Sequence, residues 1–447
     1  MASFSNSVKK NYSSIVKKNY YNIVPFRYRY GKVFHNEYKF LMESLQWDKD
    51  RLLEFQEKEF KKLIHHCYTN VPYYTKVFNE RGLKPSSFQT VEDIKLLPFL
   101  TKDIIRDNLK DLSAINMRGQ KVYEFRTSGS TGKKLVFYGT DDVYKKEAAF
   151  VLRAYKTHGA TLYDKPSVWL RRYTPKEESS PLWYTDYELR RLYMSAYHLN
   201  GETVHDYVKT INSGKYHTLV GYPSSIYILA CLCEEANISL DNIKAIHTAS
   251  EKMLDQWKTK IEKVFNIVPK MHYGMQERVC FHHQPGHTDE YYENLEYGVT
   301  EFVETDGQQQ IVGTGFLNYY MPFLRYKMSD TAILSNNDYP YRIQDINGRC
   351  DDILISKDGC RLPGVNFYTM MYKIDGVKMF RIVQRSYDKI DFYLVPNEKY
   401  NKDTNSEIMA GLAQRLGDID VNIVRTDELR RQKETGKIRC IFNEIKD

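Results

Sequence analysis

Three features of the sequence predict an α/β protein in which a large domain of mixed and parallel sheets is followed by a small C-terminal α/β domain. Short apolar strands alternate with amphipathic helices through the middle of the chain, as parallel sheets require. A loop of small, hydroxylated and basic residues stands between two β-type runs at Glu124 to Gly139. The 447 residues exceed what one compact core holds, so two or three domains are expected. Boundaries are expected at 1–35 for a basic, tyrosine-rich segment, 36–350 for the large domain and 351–447 for the small one.

Composition narrows the class. Hydrophobic content of 42% suffices for burial, and no apolar run approaches the ~18 residues of a membrane span, so a soluble chain is expected. Cysteines 67, 231, 233, 280, 350, 360 and 440 are odd in number and scattered, which points to reduced thiols in the cytoplasm. The net charge is +8, yet residues 1–34 carry seven Lys and Arg and no Asp or Glu, leaving +1 for the rest. That distribution argues against a nucleic-acid-binding surface on the body. The basic segment holds a tandem octad, VKKNYSSI at 8–15 and VKKNYYNI at 16–23. Tyr and Ile interleaved with Lys suit peripheral contact with an anionic membrane, at its inner face; a solvated tail or a first helix packed on the body is the alternative. Pro25 and the charges leave no h-region for a secretory signal.

The elements follow in order. Leu41 to Tyr74 has helical spacing, with Asn70-Val71-Pro72 as its stop, and Thr101 caps a helix start. Val122 to Phe125 and Leu135 to Tyr138 are strands, 141–158 is a helix, and Pro166 to Leu170 is a short buried strand. Arg171 and Arg172 stand at its carboxyl end, where open α/β sheets meet ligands; substrate contact and surface ion pairing are both open to them. Strand His217–Gly221 leads through Tyr222 into a helix, Ile243 to Glu251 is strand and loop, and Val268 to Tyr273 is the next strand. In the last hundred residues, Val377–Val383, Ile390–Val395 and Asp420–Val424 are strands and Ser406–Leu416 a helix.

Thr127, Ser128, Gly129, Ser130, Thr131, Gly132 and Lys133, with Lys134 behind them, have the chemistry of a phosphate loop. Small residues let backbone N–H groups converge on an anion, hydroxyls add donors and the lysines supply charge. A P-loop is excluded, because position 127 is Thr where Gly is needed, Lys133 is followed by Lys134, and a strand rather than a helix comes next; GxGxxG is absent. An ordinary hairpin turn uses the same residue types. Further on, Tyr273 offers a flat face for stacking on a base, Gly274 permits close backbone approach, and Glu277 is a hard oxygen ligand suited to magnesium. Cys280, His282, His283 and His287 invite a metal, but C-x-H-H-x3-H is not a structural zinc spacing, and a loop with incidental histidines is the reading adopted.

TSGSTGKK, then YGMQE at 273–277, RYKMSD at 325–330, GRCDD at 348–352 and Gly436-Lys437 resemble, in order and spacing, the motifs of the adenylate-forming superfamily. Gly221-Tyr-Pro-Ser-Ser225, the Glu277-Arg-Val279 continuation and the short C-terminal domain resemble its phenylacetate–CoA ligase-like branch, especially CapK-type proteins of capsular polysaccharide biosynthesis. The resemblance covers nearly all of the chain after about residue 90. It implies ATP held by the 127–133 loop, an adenine edge at Ala249, Ser250 and Glu251, adenine on Tyr273 and Gly274, ribose on Asp330, and ribose or phosphate on Arg349. Glu277 would bind Mg2+, Lys437 would bridge the carboxylate and the α-phosphate, and Asp351 would be the hinge of a mobile C-terminal lid. Ser329 replaces the family's usual Gly.

The implied function is ATP-dependent activation of a small carboxylic acid as an acyl-adenylate with release of pyrophosphate, then acyl transfer to CoA. An amide or ester ligase acting on a sugar or carrier protein is the alternative. A catalytically inactive nucleotide-binding partner of a polysaccharide assembly complex is the alternative of another class. Glu277, Asp330, Arg349 and Lys437 together argue against it, since a fold needs none of these charges.

Overall fold

A computed structural model describes residues 30–126, 135–160, 166–171, 173, 181–196, 198–305, 307–349, 353–357, 361–363, 367, 370–371, 374–431 and 438–445. Strands β1 (Val122–Arg126) and β2 (Val136–Thr140) form an antiparallel hairpin with Phe125 opposite Phe137. The expected phosphate loop, Thr127 to Lys133, falls between them and outside the described residues.

The main sheet has twelve strands. They are β3 (Ser167–Arg171), β4 (Trp183–Asp186), β5 (Arg191–Ser195), β6 (Thr218–Gly221), β7 (Ala245–Ala249), β8 (Lys270–Gly274), β9 (Phe281–His283), β10 (Tyr291–Glu293), β11 (Gly298–Thr305), β12 (Gln308–Gly315), β13 (Tyr326–Leu334) and β14 (Arg342–Arg349). Their spatial order is β11-β12-β13-β14-β10-β9-β8-β7-β6-β3-β5-β4. Strands β5, β3, β6, β7 and β8 run parallel, and antiparallel strands extend the sheet on both sides.

Period-2 alternation divides the parallel strands between two apolar layers. Leu170, Leu219 and Ile246 pack with the helices Val204–Ser213, Pro223–Glu235 and Asp255–Phe265. Val220, Ala245 and Phe281 pack with the helix Asp141–Thr157 and the helix Gly31–Ser44. Arg153 crosses that second layer, bonded to Glu296 at 2.5 Å, to Asn294 and to the Leu41 carbonyl. A third cluster joins the helices Lys49–Asn70 and Pro72–Glu80 to β11–β13.

Beyond β14, β15 (Ile353–Ile355) pairs with β16 (Arg361–Pro363). A four-stranded sheet then has the order β19-β18-β17-β20, made of β17 (Val377–Ser386), β18 (Lys389–Pro396), β19 (Asp420–Arg425) and β20 (Ile441–Asn443). The helix Lys402–Leu416 covers it with Ile408, Leu412 and Leu416, and Asn401 caps its start. The large mixed sheet followed by a small α/β unit is the architecture the sequence predicts.

Two local readings are corrected. The helical run from Leu41 to Tyr74 is three helices, broken before Asp48, which caps the second, and restarted at Pro72, whose missing N–H and preset φ suit a first helical position. The run from Cys280 to His287 is not simply a loop: Phe281–His283 form β9, paired with β8 and β10. The strand is buried, and alternation sends His282 and His283 to opposite faces.

Candidate active site

The parallel strands deliver their carboxyl ends to one edge, where ligands of open α/β sheets bind. At the end of β8, the Tyr273 hydroxyl donates to Asp330 Oδ2 at 2.6 Å. Asp330 lies on β13 with Arg349 as its cross-strand partner on β14. Burial first, then the Asp330 charge, push the Tyr273 hydroxyl well above its ordinary range, so it remains a neutral donor. Gly274 is exposed, and a Cβ there would come 3.3 Å from the Phe281 ring.

Glu277 follows in the turn. It is only 8% exposed and accepts the Tyr326 hydroxyl at 2.9 Å. Tyr326, Met328 and Asp330 share one face of β13, so this strand supports both the Tyr273 and the Glu277 contacts. Burial raises the Glu277 carboxyl above its usual value, against the Tyr326 hydrogen bond and the Lys102 charge, and the Asp330 charge adds a little to the rise. Among the described residues Glu277 has no ion-pair partner, so a buried carboxylate is left for a divalent cation to neutralise. Magnesium fits that donor as a partner shared with ligand phosphates. Among the described residues no group of three or more His, Cys, Asp or Glu is arranged to hold a metal by itself.

Arg278 completes the turn at φ +54°, which points its buried guanidinium back beneath it. Nε donates to Glu147 at 2.6 Å, Nη1 to the Gln276 carbonyl at 2.8 Å, and the group lies 4.3 Å from the Phe125 ring centre. It therefore ties the Glu277 turn to β1, the strand leading into the 127–133 segment. Sequence reading used Arg278 only as part of the resemblance; its place next to Glu277 was the available signal.

At the end of β7, Ala249 is buried and Ser250 has φ +75°. Glu251 accepts Ser224 N–H at 3.1 Å through Oε2 and Ile438 N–H at 3.0 Å through Oε1. Ser224 opens the helix Pro223–Glu235, and Ile438 belongs to the C-terminal unit. Arg431 adds a 3.4 Å bond to the Ser224 hydroxyl. Glu251 is thus a junction between the two parts of the chain as well as an edge of the expected base pocket. Asp351, Lys437 and Arg172 lie outside the described residues, and of Arg349 only the backbone is described.

Three histidines form a stack that sequence reading missed, because it joins residues far apart in the chain. His247 Nδ1 is 2.9 Å from His158 Nε2, and His247 Nε2 is 2.7 Å from His272 Nδ1. Desolvation holds all three neutral, His158 down to about 4 and His272 to about 3. His158 also donates to the Ala154 carbonyl. Each neutral ring has one N–H, so His247 donates to His158, His272 donates to His247, and His272 Nε2 is left as an acceptor. Of the metal candidates, His283 takes a 3.0 Å bond from Asn294, His287 meets the Tyr292 ring edge-on, and Cys280 is buried.

With this geometry in view, the similarities are specific. Residues 354–444 match the CapK C-terminal domain. Protein CapK of Staphylococcus aureus is 29% identical, over 84% of each chain. The phenylacetate-coenzyme A ligase of Pseudomonas putida is 27% identical, over 75% of this chain and 78% of its own. Among solved structures, 2-hydroxyisobutyryl-CoA ligase in its postadenylation state with R3-HIB-AMP has a TM-score of 0.65 at 17% identity, covering 88% of this chain and 89% of the other. The anthranilate CoA ligase AuaEII with anthranoyl-AMP has a TM-score of 0.51 at 12% identity, covering 85% and 78%.

In its fold and in the order of its motifs the chain is similar to the adenylate-forming superfamily. Within it, the homology is to the phenylacetate–CoA ligases and CapK.

Proposed function

We propose that the chain is an AMP-forming acid ligase that uses ATP to convert a carboxylic acid to its acyl-adenylate and passes the acyl group to the thiol of CoA. The observation that carries this is the pair of carboxylates at the edge of β8 and β13, Glu277 buried and Asp330 half-buried. Asp330 is oriented by the Tyr273 hydroxyl at 2.6 Å, and Glu277 is held by Tyr326 with no cation against it among the described residues. Homology to phenylacetate–CoA ligases supports the same reaction class.

In this reading, Asp330 accepts the two ribose hydroxyls, as an ionised carboxylate with free lone pairs does well. Thr127 to Lys133 cradle the distal phosphates, and Ala249, Ser250 and Glu251 border the base. Magnesium on Glu277 would neutralise phosphate charge. Lys437 draws the acid's carboxylate to the α-phosphorus; both reactants are anions, so this charge counts most in the transition state. Asp351 is the pivot on which the segment 351–447 turns between adenylation and acyl transfer, the large domain ending at 350.

We place the enzyme in cell-surface polysaccharide biosynthesis on its resemblance to CapK-type proteins, in the cytoplasm, with the basic segment 1–35 touching the inner face of the membrane. A sugar or carrier protein is the alternative acceptor. The test is carboxylate-dependent exchange of labelled pyrophosphate into ATP across aryl, fatty, amino and sugar acids, followed by CoA addition. Exchange with an acid and thioester formation are expected; ATP binding without exchange for any acid would leave an inactive nucleotide-binding protein.

A further inference from the structure

We propose that the acid activated here carries a second negative charge, and that Arg171 is the residue that recognises it. This rests on the ligase reading above and names its substrate class.

Strand register supplies the geometry. Leu170 pairs with Gly221, Gly221 with Thr248, and Ala249 with His272. Extending the register by one residue sets Arg171, Tyr222, Ala249 and His272 in one row across the carboxyl ends of β3, β6, β7 and β8. Paired residues of parallel strands share a face, so all four look to the side of the sheet that the helix Asp141–Thr157 covers. The Arg171 guanidinium lies 4.6 Å from the Tyr222 ring centre and 5.6 Å from that of Trp169. Ala249, in the middle of the row, contributes only one methyl group.

The row is chemically lopsided. Arg171 is half-buried, its Nε is shielded from solvent without a hydrogen-bond partner, and no carboxylate pairs with it among the described residues. A half-buried cation with no carboxylate beside it among the described residues suits an anionic ligand, which supplies the missing counter-charge. The histidine at the other end is neutral and offers a lone pair, so Arg171 carries the charge of the row. The fork of a guanidinium matches a carboxylate in two parallel hydrogen bonds.

The anion in question is not the reacting carboxylate. Tyr273 follows His272 on β8 and so projects to the opposite face, where it meets Asp330 and the nucleotide side of the site. An acid spanning from that side to Arg171 presents its second charge, not its first. A dicarboxylic acid is therefore the favoured substrate.

The test uses purified full-length enzyme in the pyrophosphate exchange assay with matched acids: phenylacetate against 4-carboxyphenylacetate, and hexanoate against adipate. The wild type should prefer the diacid of at least one pair in kcat/KM. Arg171→Met should lower that diacid-to-monoacid ratio by about 10- to 100-fold, the usual loss for a charged hydrogen bond, mostly through KM. Arg171→Lys should recover part of it. Thermal melting of each variant separates this from misfolding. Monoacids preferred in both pairs, or a ratio unchanged in Arg171→Met, overturns the inference and leaves the ligase reading standing. Exchange with none of the acids overturns both.

Discussion

Glu251 holds two backbone N–H groups at once, Ser224 at 3.1 Å and Ile438 at 3.0 Å, and so pins the segment before β20 to the first turn of the helix Pro223–Glu235. A carboxylate accepts on both oxygens, whereas an amide accepts on one only. Glu251→Gln should therefore free one of the two donors and loosen this junction. Hydrogen exchange at the Ser224 or the Ile438 amide should speed up by about 10-fold or more, on the order of a charged hydrogen bond. Unchanged protection at both amides would show that the contact does not hold the junction.

Asp330 is the better test of the nucleotide site. Removing its charge while keeping its shape, Asp330→Asn, should weaken ATP binding by about 10- to 100-fold. Tyr273→Phe removes only the neutral donor at 2.6 Å and should cost less, a few-fold on the scale of a neutral hydrogen bond. Calorimetric titration with ATP checks the order; equal losses would mean that the Tyr273 hydroxyl itself bonds to the nucleotide.

Glu277→Gln tests the metal. The amide keeps the bond from Tyr326 but cannot balance a divalent cation. Magnesium-dependent ATP binding should fall, while binding without magnesium should hold or improve. If adenylation runs at the parental rate, Glu277 has another role.

Glu293 tests the electrostatics of the sheet. Burial pushes its carboxyl up to about 8, and although Oε1 accepts Thr300 N–H at 2.8 Å, Oε2 has no partner among the described residues. The native state thus keeps a proton that the unfolded chain releases near pH 4.5. Stability from this group is present below that pH and is lost as pH rises to about 8, because the folded form binds the extra proton. Glu293→Gln retains an acceptor for Thr300 and should flatten the fall in Tm across that window. A slope equal to wild type would place the titration elsewhere.

Lys437 tests the proposed separation of the half-reactions. Lys437→Ala should lower adenylation by roughly 10²-fold or more, the loss when one preorganised donor goes. Transfer from pre-made acyl-adenylate should survive Lys437→Ala and fail in Asp351→Pro, which restricts φ at the proposed pivot. Equal loss of both half-reactions in Lys437→Ala, with the fold intact, would exclude an alternating-domain mechanism.

The sequence by itself determined the fold class and the order of the motifs. Strand and helix periods are local properties, and Ser167–Arg171, Thr218–Gly221, Ala245–Ala249 and Lys270–Gly274 are strands close to where alternation predicts them. The Thr101 cap is likewise local, its hydroxyl accepting Ile104 N–H at 3.3 Å. Tyr273, Glu277 and Asp330 were legible because each belongs to a contiguous motif. Tertiary structure alone decided what lies between elements. Glu251 meets Ile438, Arg278 reaches Glu147, and His158, His247 and His272 stack across separate elements. The row from Arg171 to His272 exists only through strand register. Register depends on which strands become neighbours, and strand order in a sheet with crossovers is set by packing of the whole chain rather than by any local stretch.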